Sequence, residues 1–272
     1  MVSTCMILPL EDGNLLANPV NVLYQAVGGI IPVNQTNLQM IKTEVLMEIN
    51  ETYGEENEFM VSFEGNYTIY NSNITTKLLI GAPFYTVFDI TDLLIEVDGI
   101  EQEYEILLYD IYNNTITDWE DYIDYFYNQA FEGRYFALCN VTFNSGVNTT
   151  IRYKFVSPVS TIGPDYGYGY INIRYDVGTA NNWDGVITEN VEIKIYGKQP
   201  DKYTSTGISI VDFAYGKRYI WSWIEEKIDL LFVEVSYDFR VKGNSGFNGI
   251  YGIIVLLMSS IVLKFSRKRK MR

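Results

Sequence analysis

The sequence predicts an all-β protein: one or two β-sandwich domains, Ig-like or jelly-roll, with one amphipathic helix at about 118–132 and an apolar helix at the C-terminus. Three observations carry this reading. Short apolar runs of period 2 recur every 10–20 residues between Gly, Pro and Asn turns. The core must hold the fold by itself, because 23 Tyr, 14 Phe and 4 Trp supply its area while Cys5 and Cys139 allow at most one disulfide. The stretch from Gly246 to Phe265 is almost uncharged and long enough, at 1.5 Å per helical residue, to span about 30 Å of hydrocarbon.

Taken in order, residues 1–14 lack a basic n-region, and the apolar run Cys5–Leu10 is broken by Pro9. They read as an unordered segment or the remnant of a signal. A β-rich domain is expected over 15–157. Within it Met40–Ile49 is ambiguous between strand and helix, and Phe59, Val61 and Phe63 alternate as a strand. Leu93–Val97 and Ile100–Tyr109 flank Asp98-Gly99, whose tolerance of positive φ predicts a type I′ hairpin. Thr117-Asp118-Trp119-Glu120 forms a capping box ahead of Tyr122, Ile123, Phe126, Ala130 and Phe131 at helical spacing, and Gly133 is placed to stop the helix. Tyr135, Ala137, Cys139, Val141 and Phe143, then Thr149, Ile151, Tyr153 and Phe155, are inward faces of two strands. Cys139 reads as a small buried hydrophobe.

The Pro- and Gly-bearing stretch Ser157–Gly169 predicts a linker, taken as 158–170, ahead of a membrane-proximal sandwich domain over 171–242. Its strands are Ile171/Ile173/Tyr175/Val177, Val191/Ile193/Ile195, Ile208/Ile210 and a last one facing inward through Leu231, Val233, Val235, Tyr237, Phe239 and Val241. Only Gly243-Asn244-Ser245 separates that strand from the apolar helix 246–265, holding the domain within about 10 Å of a bilayer. The tail 266–272 follows, and Lys264, Arg267, Lys268, Arg269, Lys270 and Arg272 make a basic cluster suited to anionic headgroups on the cytoplasmic side.

Charge and composition exclude several classes. Residues 1–245 carry 14 Lys/Arg against 34 Asp/Glu, which repels nucleic acid. There is no histidine, so imidazole-based nucleophile systems and the common zinc and non-haem iron sites are out. Asn-x-Thr triplets occur at Asn34, Asn50, Asn66, Asn73, Asn113, Asn140 and Asn148, where chance placement of 22 Asn and 19 Thr predicts about 1.5, so these seven are candidate glycosylation sites. All precede residue 149, and Asn140 and Thr142 fall opposite the inward face of their strand.

Chemistry is sparse. Glu101/Glu103/Glu105 and Glu120/Asp121/Asp124 are the carboxylate groups a glycosidase would draw on, and each also reads as a solvated acidic face. Asp165, Asp176, Asp184 and Glu189 are candidate calcium ligands, without EF-hand spacing. No catalytic residue, cofactor or phosphate loop is predicted. Gly246, Gly249 and Gly252 offer a small-residue ridge for self-association.

The C-terminal order Ser245-Gly246-Phe247, apolar helix, basic cluster resembles the sorting signals of archaeal surface glycoproteins, which carry a Pro-Gly-Phe-type motif and are processed by an archaeosortase; the proline is absent here. The composition, rich in Tyr, Ile and Asn, is similar to surface and virus-envelope proteins of thermophilic archaea. The resemblance implies a single-pass, membrane-anchored surface or envelope glycoprotein, not an enzyme, with a structural, adhesive or assembly role. Its ectodomain would lie outside, and its partners would be the bilayer, a second copy or other envelope proteins. A membrane-tethered carbohydrate-binding or glycosidase-type protein, marked by two carboxylates beside exposed Trp183, Trp221 or Trp223, is the alternative. A tail-anchored protein facing the cytosol is the third reading.

Overall fold

A computed structural model describes residues 21–32, 36–51, 58–85, 91–109, 134–160 and 167–241, and sixteen strands among them form two sheets of eight. The chain divides into two compact units. One comprises 1–21, 162–169 and 239–272, nearly all outside the described residues; the other, Val22–Thr161 with Tyr170–Asp238, carries most of both sheets.

The first sheet runs β13 (Lys202–Tyr203), β16 (Val233–Val241), β11 (Gly167–Asp176), β1 (Asn21–Gly28), β5 (Thr76–Tyr85), β9 (Arg134–Phe143) and β8 (Glu105–Tyr109), with β2 (Ile31–Pro32) paired to β5. The second runs β14 (Ile208–Phe213), β15 (Gly216–Glu226), β12 (Ile187–Tyr196), β3 (Gln39–Glu51), β4 (Glu58–Tyr70), β10 (Asn148–Ser160), β6 (Thr91–Val97) and β7 (Ile100–Glu101). Successive side chains of a strand point to opposite faces, so a strand with one face in the core alternates apolar and polar. β4, β10 and β12 do so over 10 to 13 residues each, and β3 does so from Thr43 to Ile49, after a bulge between Met40 and Lys42. Val45, Met47, Ile49, Phe59, Val61, Phe63, Ile151, Tyr153, Phe155, Val191, Ile193 and Ile195 are all buried. The sheets meet through these faces: Phe59 of β4 lies 4.5 Å, ring to ring, from Tyr237 of β16, and Phe63 lies 6.1 Å from Tyr175 of β11. Fully burying each such ring contributes roughly 1.5–3 kcal/mol. Met40–Ile49 is thus strand, and Cys139 is a buried free thiol at 2% exposure, in the inward register the alternation predicts.

The expected division into domains over 15–157 and 171–242 differs from the pairing. β12, from beyond the expected linker, lies parallel to β3, from Thr188 opposite Lys42 to Tyr196 opposite Asn50. β11 sits between β16 and β1 in the other sheet. Strands from both halves of the sequence therefore share both sheets, with β3 and β12 joined edge to edge by the backbone ladder over nine residue pairs. β10 runs through Pro158 to Ser160, into what read as linker. Its last β6 partner is Thr91, opposite Val156, so Pro158 lies where no β6 hydrogen bond calls for an N–H.

Three other elements differ in detail. Asp98 and Gly99 do take positive φ, 52° and 79°, but β7 holds only two residues before the chain crosses to the other sheet as β8. Glu101, Glu103 and Glu105 therefore do not share one strand face. Ile210 is 40% exposed because β14 is an edge strand. Leu231 precedes β16 and is 48% exposed, its carbonyl accepting from the Gly178 N–H at 2.9 Å. The segments 1–14 and 246–265, the tail 266–272 with its basic cluster, and the 118–132 helix lie outside the described residues. Among the described residues no helix is long and apolar enough to cross a membrane.

Candidate functional site

Of the seven sequons, Asn34 and Asn113 lie outside the described residues. The other five sit on outward registers or in turns. Asn50 follows buried Ile49 at the end of β3, Asn140 lies between buried Cys139 and Val141, and Asn73 and Asn148 flank the ends of β4 and β10; all four are exposed. Asn66 is half-buried on the outer face of β4, where its Nδ2 donates to Glu64 at 3.3 Å. Buried Asn71 holds the turn that presents Asn73: its Nδ2 donates to the carbonyls of Ile74 and Phe143 at 2.9 and 2.8 Å, and its Oδ1 accepts from the Asn73 N–H at 2.8 Å. The same outer face carries a charge ladder in which Arg152 of β10 grips Glu64 with two nitrogens, at 3.0 and 2.9 Å, and Glu96 with a third at 2.9 Å. Arg152 holds the Glu64 carboxyl below its ordinary range.

A depression of about 1340 Å³ lies against β5 and β9, lined by Leu79, Leu138 and Asn140 and by the 100–105 crossover with Glu101, Glu103 and Glu105. All three glutamates are exposed, as in a solvated acidic edge. Glu120, Asp121 and Asp124 lie outside the described residues.

The calcium candidates do not converge. Asp176 is buried and ion-paired with Arg174 at 2.8 Å, whose guanidinium covers the Phe232 ring at 4.5 Å. Glu189 is in no loop; it occupies the inward register of β12 between Ile187 and Val191 and is 1% exposed. Because Tyr175 faces the core, Asp176, its neighbour on β11, points from the opposite face of that sheet. Asp184 is exposed and Asp165 lies outside the described residues. No group of three metal-ligating side chains occurs among the described residues.

Sequence reasoning missed the buried polar cluster within the sandwich. Glu189 accepts a hydrogen bond from Tyr175, while burial pushes its carboxyl up to about 8, so at neutral pH it is mostly uncharged. Tyr67, beside Glu189, and Tyr153, beside Tyr67, are fully buried, and desolvation raises all three phenols. Gly29 packs against this group, donating its N–H to Thr179 Oγ1 at 3.0 Å. The signal was present in the sequence: an acid at an inward position of an otherwise apolar alternating strand. Trp183 and Trp221, expected as exposed ring platforms, are buried at 5% and 0%. Their indole N–H groups donate to the carbonyls of Ile30 at 2.9 Å and Thr204 at 3.2 Å, which lets the core accept them. Trp223 alone of the three is half-exposed.

No family model and no curated protein matches this chain. Among solved structures, a proposed nutrient-binding protein of Legionella pneumophila aligns with TM-score 0.57 and 16% identity, over 81% of this chain and 73% of its own. The likeness is one of fold alone. An M1 zinc metallopeptidase of Deinococcus radiodurans aligns over 75% of this chain and 43% of its own at 8% identity, and its TM-score of 0.38 carries no argument.

Proposed function

We propose that this chain is a surface or envelope glycoprotein: a β-sandwich of the Ig-like or jelly-roll kind, displayed outside a membrane on its C-terminal anchor, with a structural, adhesive or assembly role and no catalytic one. The observation that supports it is the placement of the sequons. All five described asparagines avoid the inward registers, although those strands have half their positions in the core. An oligosaccharyl donor needs the Asn side chain and the Thr two residues on to be reachable from solvent, and the pleat puts both on the same face. The apolar stretch 246–265 and its basic cluster supply the anchor and its orientation.

Intact mass of the membrane-purified protein before and after deglycosylation, with peptide mapping of both ends, tests this reading. Hexose-type mass on Asn50, Asn66, Asn73, Asn140 or Asn148, with the tail through Arg272 retained, is the expected result. Sugar with the tail missing would indicate sortase-type processing of the same surface protein. An unmodified chain would refute the exterior placement and leave the tail-anchored, cytosol-facing reading.

A further inference from the structure

Where β15 ends, the chain builds a second concave feature of about 300 Å³, lined among others by Thr206, Ser222, Trp223, Glu226, Lys227 and Asp229. Its construction is specific. Tyr219 and Trp221 of β15 face the core, and Trp223 continues the same register opposite Glu189; the pairing with β14 ends at Ile208 opposite Trp221, and Trp223 beyond it is half-exposed. Ile224 and Glu225 then oppose the single residue Thr188, a β-bulge in which Glu225 adopts φ 52° and its N–H donates to Thr188 Oγ1 at 3.3 Å. Bulges re-aim the side chains beside them. Here the bulge is followed by the end of the strand at Glu226, and 227–230 forms the opposing wall. That wall is tied down, since Ile228 is 2% exposed and its carbonyl accepts from Asn181 Nδ2 at 3.0 Å. The groove is thus pre-formed, and its size is at the low end of small-molecule sites, roughly 300–1,000 Å³.

Its lining combines one indole, two exposed carboxylates, one ammonium and the Thr206 hydroxyl. An aromatic face is the negative side of a quadrupole and attracts the C–H groups on the apolar face of a pyranose ring. Carboxylates accept strongly from hydroxyls, and Lys227 supplies a donor. The Ser222 side chain lies on the opposite face of β15 from Trp223, where its hydroxyl donates to Asn190 Oδ1 at 2.8 Å. Two carboxylates against one ammonium, in a strongly acidic chain, disfavour anionic ligands. A cation site would surround its ligand with several rings and no ammonium, whereas this groove has one ring and Lys227. No sequon lies beyond residue 148, so none of the residues that build the groove can carry an N-linked glycan.

We propose that this groove binds an uncharged saccharide, one pyranose ring lying on Trp223 with its hydroxyls donating to Glu226 and Asp229. The proposal does not depend on glycosylation of the chain itself. It is tested by saturation-transfer NMR and tryptophan fluorescence on the full-length, detergent-solubilised protein titrated with methyl β-D-glucopyranoside, methyl α-D-mannopyranoside and methyl β-D-galactopyranoside. Saturable binding of at least one glycoside is expected, abolished by Trp223→Ala, retained in weakened form by Trp223→Phe and weakened about tenfold by Asp229→Asn, as for loss of one hydrogen bond to a charged group. Asp229 is exposed, so its variant folds even where Trp223→Ala does not. Silence from all three glycosides, binding that survives both Trp223→Ala and Asp229→Asn unchanged, or saturable binding of choline with the sugars silent would each overturn it.

Discussion

Replacing Glu189 by Gln removes a titrating group from the middle of the sandwich, and the structure sets the size of the effect. The side chain is 1% exposed, and burial lifts its carboxyl from 4.5 to about 8. Below pH 4.5 the group is protonated in the folded and unfolded chain alike and makes no difference to stability. Between 4.5 and about 8 the unfolded chain releases the proton while the folded chain keeps it. Each pH unit in that window therefore lowers folding stability by roughly 1.4 kcal/mol. Above about 8 the folded state ionises as well, and the loss stays constant at about 5 kcal/mol, of which about 3 is already present at pH 7. Gln keeps the shape and an oxygen that can accept from Tyr175, and it does not titrate; its buried amide N–H groups add a cost of about 1–3 kcal/mol that is the same at every pH. Urea unfolding of the full chain and of Glu189→Gln at one-unit intervals from about pH 5 to 8 checks this through midpoints and slopes. The variant gains on the parent steadily as pH rises. A stability difference that stays flat across the window would mean that Glu189 is ionised in the folded protein, and the account of the cluster would fail.

Two further substitutions test the local geometry. A Cβ added at Gly29 would meet Thr179 Oγ1 at 2.6 Å and the Tyr175 hydroxyl at 2.9 Å, so Gly29→Ala lowers stability by about 1–3 kcal/mol with an unchanged denaturant slope; a loss below about 0.5 kcal/mol would show that the cluster has room to shift. Asp98 takes a left-handed φ and its Oδ1 accepts from the Thr150 N–H at 2.8 Å. Asp98→Ala therefore destabilises by about 1–3 kcal/mol, whereas Asp98→Asn, which tolerates that backbone and keeps an oxygen acceptor, stays within about 0.5 kcal/mol; the reverse order in urea midpoints would refute the turn assignment.

The period-2 pattern alone placed Phe59, Val61 and Phe63, the 149–155 face and the 171–177 face in the core, put Cys139 inward, and set Asn140 with Thr142 outward. Asp98-Gly99 likewise announced its own turn. These are local properties, because the pleat alternates faces every residue whatever the strand pairs with. Partner choice is another matter. Any long alternating strand offers the same ladder of donors and acceptors, so nothing near β12 in sequence says that it will lie parallel to β3, nor that β14 will be left at an edge with Ile210 exposed. That choice is made between segments far apart in the chain, and it placed strands of the expected 15–157 and 171–242 domains together in both sheets. The same long-range pairing brought Tyr175 of one sheet to Glu189 of the other, buried Trp183 and Trp221 on carbonyls far along the chain, and left Trp223 at a rim where a bulge and a pinned loop close around it.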